Sequence, residues 1–217
     1  MDMKVKWLGV ASFLITTEKG IRIIIDPYKS GGPIKSAEYH GPADIVTISH
    51  AHNDHNYTVN IEGNPRIIRE AKPVEVKGIM FNGINAFHDE VQGKKRGPNI
   101  VFYMDIDGMR VCHLGDLGHV LSDGQIAQIG KVDILLAPVG GQWAIDAATA
   151  WEITNKLHAK VVIPMHYRDE RCDFPVATVD DFLKGKKNVK MANSSEIEFE
   201  VGKFPAETQI IVLKPAL

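Results

Sequence analysis

His50-Ala-His-Asn-Asp-His55 puts three imidazoles and a carboxylate into six residues, immediately after the apolar run Ile45-Val-Thr-Ile48. Three of the nine histidines in the 217-residue chain fall here. Imidazole nitrogen binds zinc, iron, nickel and manganese to differing degrees, and a neighbouring carboxylate either joins the coordination or holds a metal-bound water. A polar loop is the plain alternative, but the density of ligand types at the end of a strand argues for a metal.

Three more ligand-type residues follow apolar runs in the same way. His88 comes after Ile84-Asn-Ala-Phe87, Asp116 closes His113-Leu-Gly-Asp116, and His166 comes after Val161-Val-Ile-Pro-Met165. Catalytic metal sites are often built at such strand ends, where a rigid strand fixes the ligand and the loop leaves a position open to water and substrate.

Working outward, the first half reads as short strands. Val5–Leu8, Ser12–Thr16, Ile21–Ile25, Ile45–Ser49, Arg66–Ile68, Val74–Val76 and Ile79–Phe81 are punctuated by Gly, Pro, Asn and Asp. Asn99–Ile106, Asp107-Gly108 and Met109–His113 spell a hairpin, because Asp-Gly tolerates the positive φ of a tight turn. Helices enter only afterwards. One is capped by Ser122 and runs to Ile129; one is capped by Asp146 and has Ala147, Ala150, Trp151, Thr154 and Leu157 on one face; a third lies near Val179–Lys184. Between and after them come strands Ile134–Ala137, Val161–Ile163, Val189–Met191, Ile197–Glu200 and Thr208–Leu213. The pattern predicts one domain over residues 1–217, with two sheets packed face to face and helices outside. No repeat, low-complexity tract or dividing linker interrupts it.

Composition narrows the function. Hydrophobic residues at 44%, charged residues at 24% and a formal net charge of -2 describe an ordinary globular chain without the basic bias of a nucleic-acid binder. Cys112 and Cys172 are too few for a disulfide framework, and Cys112 reads as a buried inert thiol. The N-terminus lacks a signal-peptide segment and no run is long enough to span a bilayer, so the expectation is a cytoplasmic protein with no membrane partner.

The chain resembles the metallo-β-lactamase superfamily, whose His-x-His-x-Asp-His hallmark reads here His50-Ala-His52-Asn-Asp54-His55. Asp26 in Ile23-Ile-Ile-Asp-Pro27, then His88, Asp116 and His166, match its later positions in order. His113-Leu-Gly-Asp-Leu-Gly-His119, Pro138-Val-Gly-Gly141 and Ile163-Pro-Met-His-Tyr167 look like its small, lidless branch of ascorbate-6-phosphate lactonase-like proteins. The resemblance implies an α/β (α+β) fold, a four-layer αββα sandwich. It implies two divalent ions, one on His50, His52 and His88 and the other on Asp54, His55 and His166, with Asp116 and a hydroxide shared between them. Asp54 and Asp116 are then the catalytic carboxylates, with Asp54 also handling the proton of the nucleophile. The ligands fit zinc, and manganese, nickel or iron can occupy similar sets. The implied reaction is hydrolysis of a small ester, lactone, thioester or phosphoester. The alternatives are a nuclease or phosphodiesterase acting on nucleic acid, disfavoured because little chain separates Asp116 from His166, and a metal-binding protein without turnover. Oligomeric state is not written in the sequence.

Other residues carry weaker readings. Asp26 either accepts from a ligating imidazole or makes an Asp-Pro turn. His119 either reaches substrate or the surroundings of the metals, or is a solvated loop residue. Asp146 either lines the pocket or is simply the helix cap. Gly140-Gly141 could let the backbone approach a substrate, and Ala144 stands where family members commonly carry Thr. Lys94-Lys-Arg96 could attract an anionic small-molecule substrate. His113 belongs to its strand, His40 and His158 to the surface, the latter on the helix, and Trp7, Phe13, Phe102 and Trp151 to the core.

Overall fold

A computed structural model describes residues 2–217. In chain order the first half runs β1 (Met3–Gly9), β2 (Ser12–Thr16), β3 (Arg22–Ile25), β4 (Gly41–Pro42), β5 (Ile45–Thr47), β6 (Ile61–Glu62), β7 (Arg66–Ile68), β8 (Val74–Val76) and β9 (Ile79–Phe87). There follow β10 (Pro98–Ile106), β11 (Met109–His113), α1 (Asp123–Ile129), β12 (Ile134–Pro138), α2 (Ala147–Lys156) and β13 (Val161–Met165). The chain closes with α3 (Val179–Leu183), β14 (Val189–Met191), β15 (Glu196–Phe199) and β16 (Gln209–Val212).

These strands form a six-stranded sheet, β15-β1-β2-β3-β5-β7, an eight-stranded sheet, β14-β16-β13-β12-β11-β10-β9-β8, and the small pair β4-β6. The hairpin sits where the Asp-Gly turn puts it. Phe102 pairs with His113 and Ile106 with Met109, and Asp107 and Gly108 take φ of 51° and 79°, the left-handed pair that a two-residue turn requires. Val74–Val76 and Ile79–Phe87 make a second hairpin, whose long strand delivers the chain to His88.

Alternation explains which side each residue faces. Ile23, Ile25 and Ile45 join the core between the sheets with Trp7, Phe13, Phe102 and Val111, whereas Ile24 and Val46 join a second cluster with Leu8, Tyr28, Ile34 and Phe174 on the far side of the six-stranded sheet. Strands buried on both faces read as unbroken apolar runs, as Ile23-Ile-Ile25 and Ile45-Val46 do. Among the described residues no helix occurs before β11, so this outer layer is made of loop segments, and the helices expected outside both sheets cover the eight-stranded one alone.

Ser122 and Gln125 form a reciprocal capping box on α1, and Asp146 Oδ1 accepts from Thr149 N at 2.8 Å on α2. Ala150, Ile153 and Thr154 bury α2 against the core, with Leu157 fully buried at its C-terminus. Trp151 is half-buried beneath the Lys186 ammonium, 4.7 Å from its ring, and packs against the core through Phe182. One expectation changes. His158 lies just past α2 in a left-handed conformation, where it is exposed. Both cysteines are free and buried, and burial pushes the thiol of Cys172 up to about 12. Among the described residues no helix is long and apolar enough to cross a membrane.

Candidate metal centre

β3, β5, β9, β11 and β13 all end at one edge of the sandwich, and each hands over a polar residue there: Asp26, His50, His88, Asp116 and His166. Cross-links lock the loops together. Ile100 N donates to Ser49 O at 2.9 Å, His166 N to Val10 O at 2.9 Å, and Asp116 N to Asn99 Oδ1 at 3.0 Å. Val10, Asp26 and His166 have φ of 52°, 43° and 51°. Such conformations are uncommon for side chains of this kind and cluster at sites that the surrounding structure over-determines.

All seven candidate ligands converge. Ligand atoms of His50, His52 and His88 lie within 4.8 Å of one another, and so do those of Asp54, His55, Asp116 and His166. Asp116 lies between the groups: its Oδ2 is 3.1 Å from His88 Nε2 and 3.9 Å from His50 Nε2 on one side, and 3.2 Å from His55 Nε2 and 3.3 Å from His166 Nε2 on the other. Asp54 Oδ2 lies 3.5 Å from His55 Nε2 and 3.9 Å from His166 Nε2. The donor set fits cations. His55 Nε2 and His166 Nε2, which face Asp116, are buried without a hydrogen-bond partner, as is Asp116 Oδ1, a costly condition that a coordinated ion relieves.

Asp26 orders this cluster from behind. It accepts Ser49 N at 2.7 Å, Ser49 Oγ at 2.5 Å and His55 Nδ1 at 2.8 Å. Since the Ser49 hydroxyl donates to Asp26, it accepts from His50 Nδ1 at 2.9 Å. One carboxylate therefore puts the Nδ1 protons of both His50 and His55 on the outside and leaves both Nε2 lone pairs facing Asp116. The buried carboxylates of Asp26 and Asp116 and the half-buried one of Asp54 balance the imidazoles. Burial alone would raise Asp116, but His166 and His55 hold it well below the usual carboxylate range; burial likewise opposes the ionisation of Asp54, and His55 and His166 reverse this. His50 is pushed down to about 3, by burial and then by the charge of His55.

The ligands open into a cavity of about 440 Å³ whose wall includes His52, Asp54, His88, Asp116, Arg96 and Trp143. A second cavity, of about 490 Å³, shares His88, Arg96 and Trp143 and holds His119, Ala144 and Asp146 on its wall.

A family model described as the beta-lactamase superfamily domain matches residues 4–166. The chain belongs to the metallo-β-lactamase superfamily. It is 31% identical over 194 residues to a UPF0173 metal-dependent hydrolase of Thermococcus onnurineus, covering 76% of this chain and 84% of the relative. A namesake from Korarchaeum cryptofilum is 31% identical over 98% of this chain and 97% of its own length. The crystal structure of a Thermotoga maritima protein assigned to the Zn-dependent hydrolases of the superfamily superposes with a TM-score of 0.81 at 38% identity, covering 97% of this chain and 98% of that one.

Within this superfamily site the weaker candidates sort themselves by contact. Asp26 makes both the turn and the hydrogen bond to an imidazole. His119 is half-buried on the wall of the second cavity and is not free: Nε2 accepts from Phe87 N at 3.1 Å and Nδ1 donates to Val120 O at 2.8 Å, so it pins the strand end before His88. Asp146 serves as the helix cap while lining the second cavity. Of the basic run, Lys94 and Lys95 are exposed and Arg96 alone lines the cavity at the ligands. Gly140 approaches protein rather than substrate, since a Cβ there would meet His166 O at 2.4 Å. Gly140→Ala should therefore shift His166 and lower the metal content of the purified protein while His52, remote from Gly140, stays in place; unchanged metal content would contradict this.

Four contributors escaped the sequence reading. Ser49 stands beside the hallmark but is chemically plain. Asn99 accepts from Asp116 N and donates to Leu114 O at 2.9 Å. His113 donates to Ala11 O at 2.9 Å through Nε2 and accepts Gly115 N at 3.1 Å. Asp89 winds the loop that carries Arg96, and its position next to His88 was the signal that could have found it.

Proposed function

We propose that this chain is a metal-dependent hydrolase with a dinuclear centre, acting on a small ester, lactone, thioester or phosphoester. His50, His52 and His88 would hold one ion and Asp54, His55 and His166 the other, with Asp116 between them. The observation that carries this reading is the position of Asp116 Oδ2 between the imidazoles of both groups. A set of five imidazoles and two carboxylates fits zinc, and manganese, nickel and iron take the same donors. Bound there, divalent ions acidify water towards neutral pH and polarise the oxygen of the scissile group.

The chain's own residues do the rest. Asp54 is the carboxylate of the set that is not fully enclosed, its side chain 22% exposed, and it lines the cavity. Held ionised by His55 and His166, it can take a proton from the attacking water and return it to the leaving group. Asp26 and Ser49 fix the faces of His50 and His55 without touching substrate. Phe174, edge-to-face with Trp143 at 5.0 Å and tilted against His166 at 5.3 Å, makes an apolar wall that keeps bulk water from one side. A cavity of about 440 Å³ suits a small molecule.

The test is a panel of esters, lactones, thioesters and phosphodiesters with zinc- or manganese-loaded protein. Turnover that vanishes on chelation supports the reading, and its absence across the panel from fully loaded protein overturns it. Asp54→Asn should keep metal on the remaining ligands and lose roughly 10²- to 10⁴-fold in kcat, the usual worth of a positioned acid-base group. Full activity in that variant would remove Asp54 from the proton path.

A further inference from the structure

Two cations stand on the rim of the cavity without a partner. Arg96 and Lys29 both line it, and among the described residues neither side chain has an ion pair or hydrogen bond. Each lies against an aromatic ring instead: the Arg96 guanidinium is 5.9 Å from the centre of Trp143, and Lys29 Nζ is 5.8 Å from that of Tyr57. With a net charge of -2 over the chain, this rim does not reflect a general basic excess.

Both cations are mounted on backbone tied to the ligands. The buried Asp89 carboxylate, next to His88, accepts four N–H groups: Val91 at 2.9 Å, Gly93 at 2.8 Å, Lys95 at 2.9 Å and Arg96 at 2.8 Å. His88 N closes the loop by donating to Gly97 O at 3.1 Å. On the other side Lys29 N donates to Asn53 O at 2.9 Å, inside the hallmark itself. A guanidinium held in place over an apolar wall, with its fork unused, matches the planar geometry of an oxyanion.

We propose that Arg96, assisted by Lys29, sets specificity for a substrate that carries an oxyanion group, phosphate or carboxylate, on a flat apolar body lying against Trp143 and Phe174. The proposal rests on the hydrolytic reading of the adjoining site and names the substrate class that the site takes.

The probes are phenylphosphonate and benzoate, which resist hydrolysis, with benzamide as the uncharged counterpart, titrated calorimetrically into zinc-loaded protein. Arg96→Met should weaken phenylphosphonate, benzoate or both by roughly tenfold or more, the loss expected for a charge-assisted hydrogen bond, with benzamide and zinc content unchanged. Which anion suffers more tells phosphate from carboxylate. Lys29→Met should weaken the same anion, and Lys94→Met, an exposed neighbour that lines neither cavity, should not. For turnover, Arg96→Met should raise KM for a carboxylated aryl ester and leave KM for its neutral parent unchanged. The proposal falls if wild-type protein binds neither anion, if Arg96→Met binds both as wild type does, or if Lys94→Met is equally impaired. Failure of the hydrolytic reading looks different: Arg96-dependent anion binding with no turnover of any ester.

Discussion

Asp116→Ala should release both ions and leave turnover at the level of the metal-free protein. The carboxylate sits 3.1–3.3 Å from the Nε2 atoms of His88, His55 and His166, so it is the residue whose loss is felt on both sides of the centre. Removing one member of a buried, hydrogen-bonded charge cluster costs about 3–5 kcal/mol, roughly two to four orders of magnitude in affinity. Asp116→Asn keeps the shape and Asn99's hold on the backbone but not the charge, and should lose metal to a similar degree. Metal analysis of dialysed protein checks both variants. Loss of one ion with the other fully retained would mean that Asp116 belongs to a single site.

The second large effect is expected from a residue that touches no metal. Asp26→Asn replaces a carboxylate that accepts from Ser49 and His55 by an amide able to donate towards them. The proton on Ser49 Oγ is then free to turn towards His50 Nδ1, and that imidazole would carry its own proton on Nε2, where it is needed bare. Disturbing such outer hydrogen bonds typically costs about 10- to 100-fold in metal affinity or activity. Because the network reaches His50 in one group and His55 in the other, both ions should weaken together. Zinc titration against a competing chelator measures this, and wild-type affinity in Asp26→Asn would show that the tautomers are set elsewhere.

The centre was far more legible in the sequence than its support. His50–His55, His88, Asp116 and His166 announce themselves because ligand chemistry is a property of single side chains and each follows an apolar strand. The Asp-Gly hairpin and the caps at Ser122 and Asp146 are legible for a related reason: turn and cap rules act over two to four residues. Asp26's reach to two histidines is hidden because it spans 23 positions to Ser49 and 29 to His55, distances that only the β3–β5 pairing closes. The hydrogen bond of His119 is hidden likewise, its partner Phe87 lying 32 positions away. The loop cover over the six-stranded sheet leaves no periodic signature, since Tyr28, Ile34, Cys172 and Phe174 come from separate turns. Composition hid Arg96 as well. In sequence it is one of three basic residues in a row, and only the course of the loop wound around Asp89, which brings Arg96 and neither lysine to the wall of the ligand cavity, singles it out.

The most direct test of the two-ion centre is the metal stoichiometry of protein loaded with excess zinc, freed of unbound metal and measured by plasma mass spectrometry against amino-acid analysis. Two ions per chain is the predicted result, falling to about one in His52→Ala, which removes a ligand from one group alone. A wild-type value of one that His52→Ala leaves unchanged would contradict the dinuclear account.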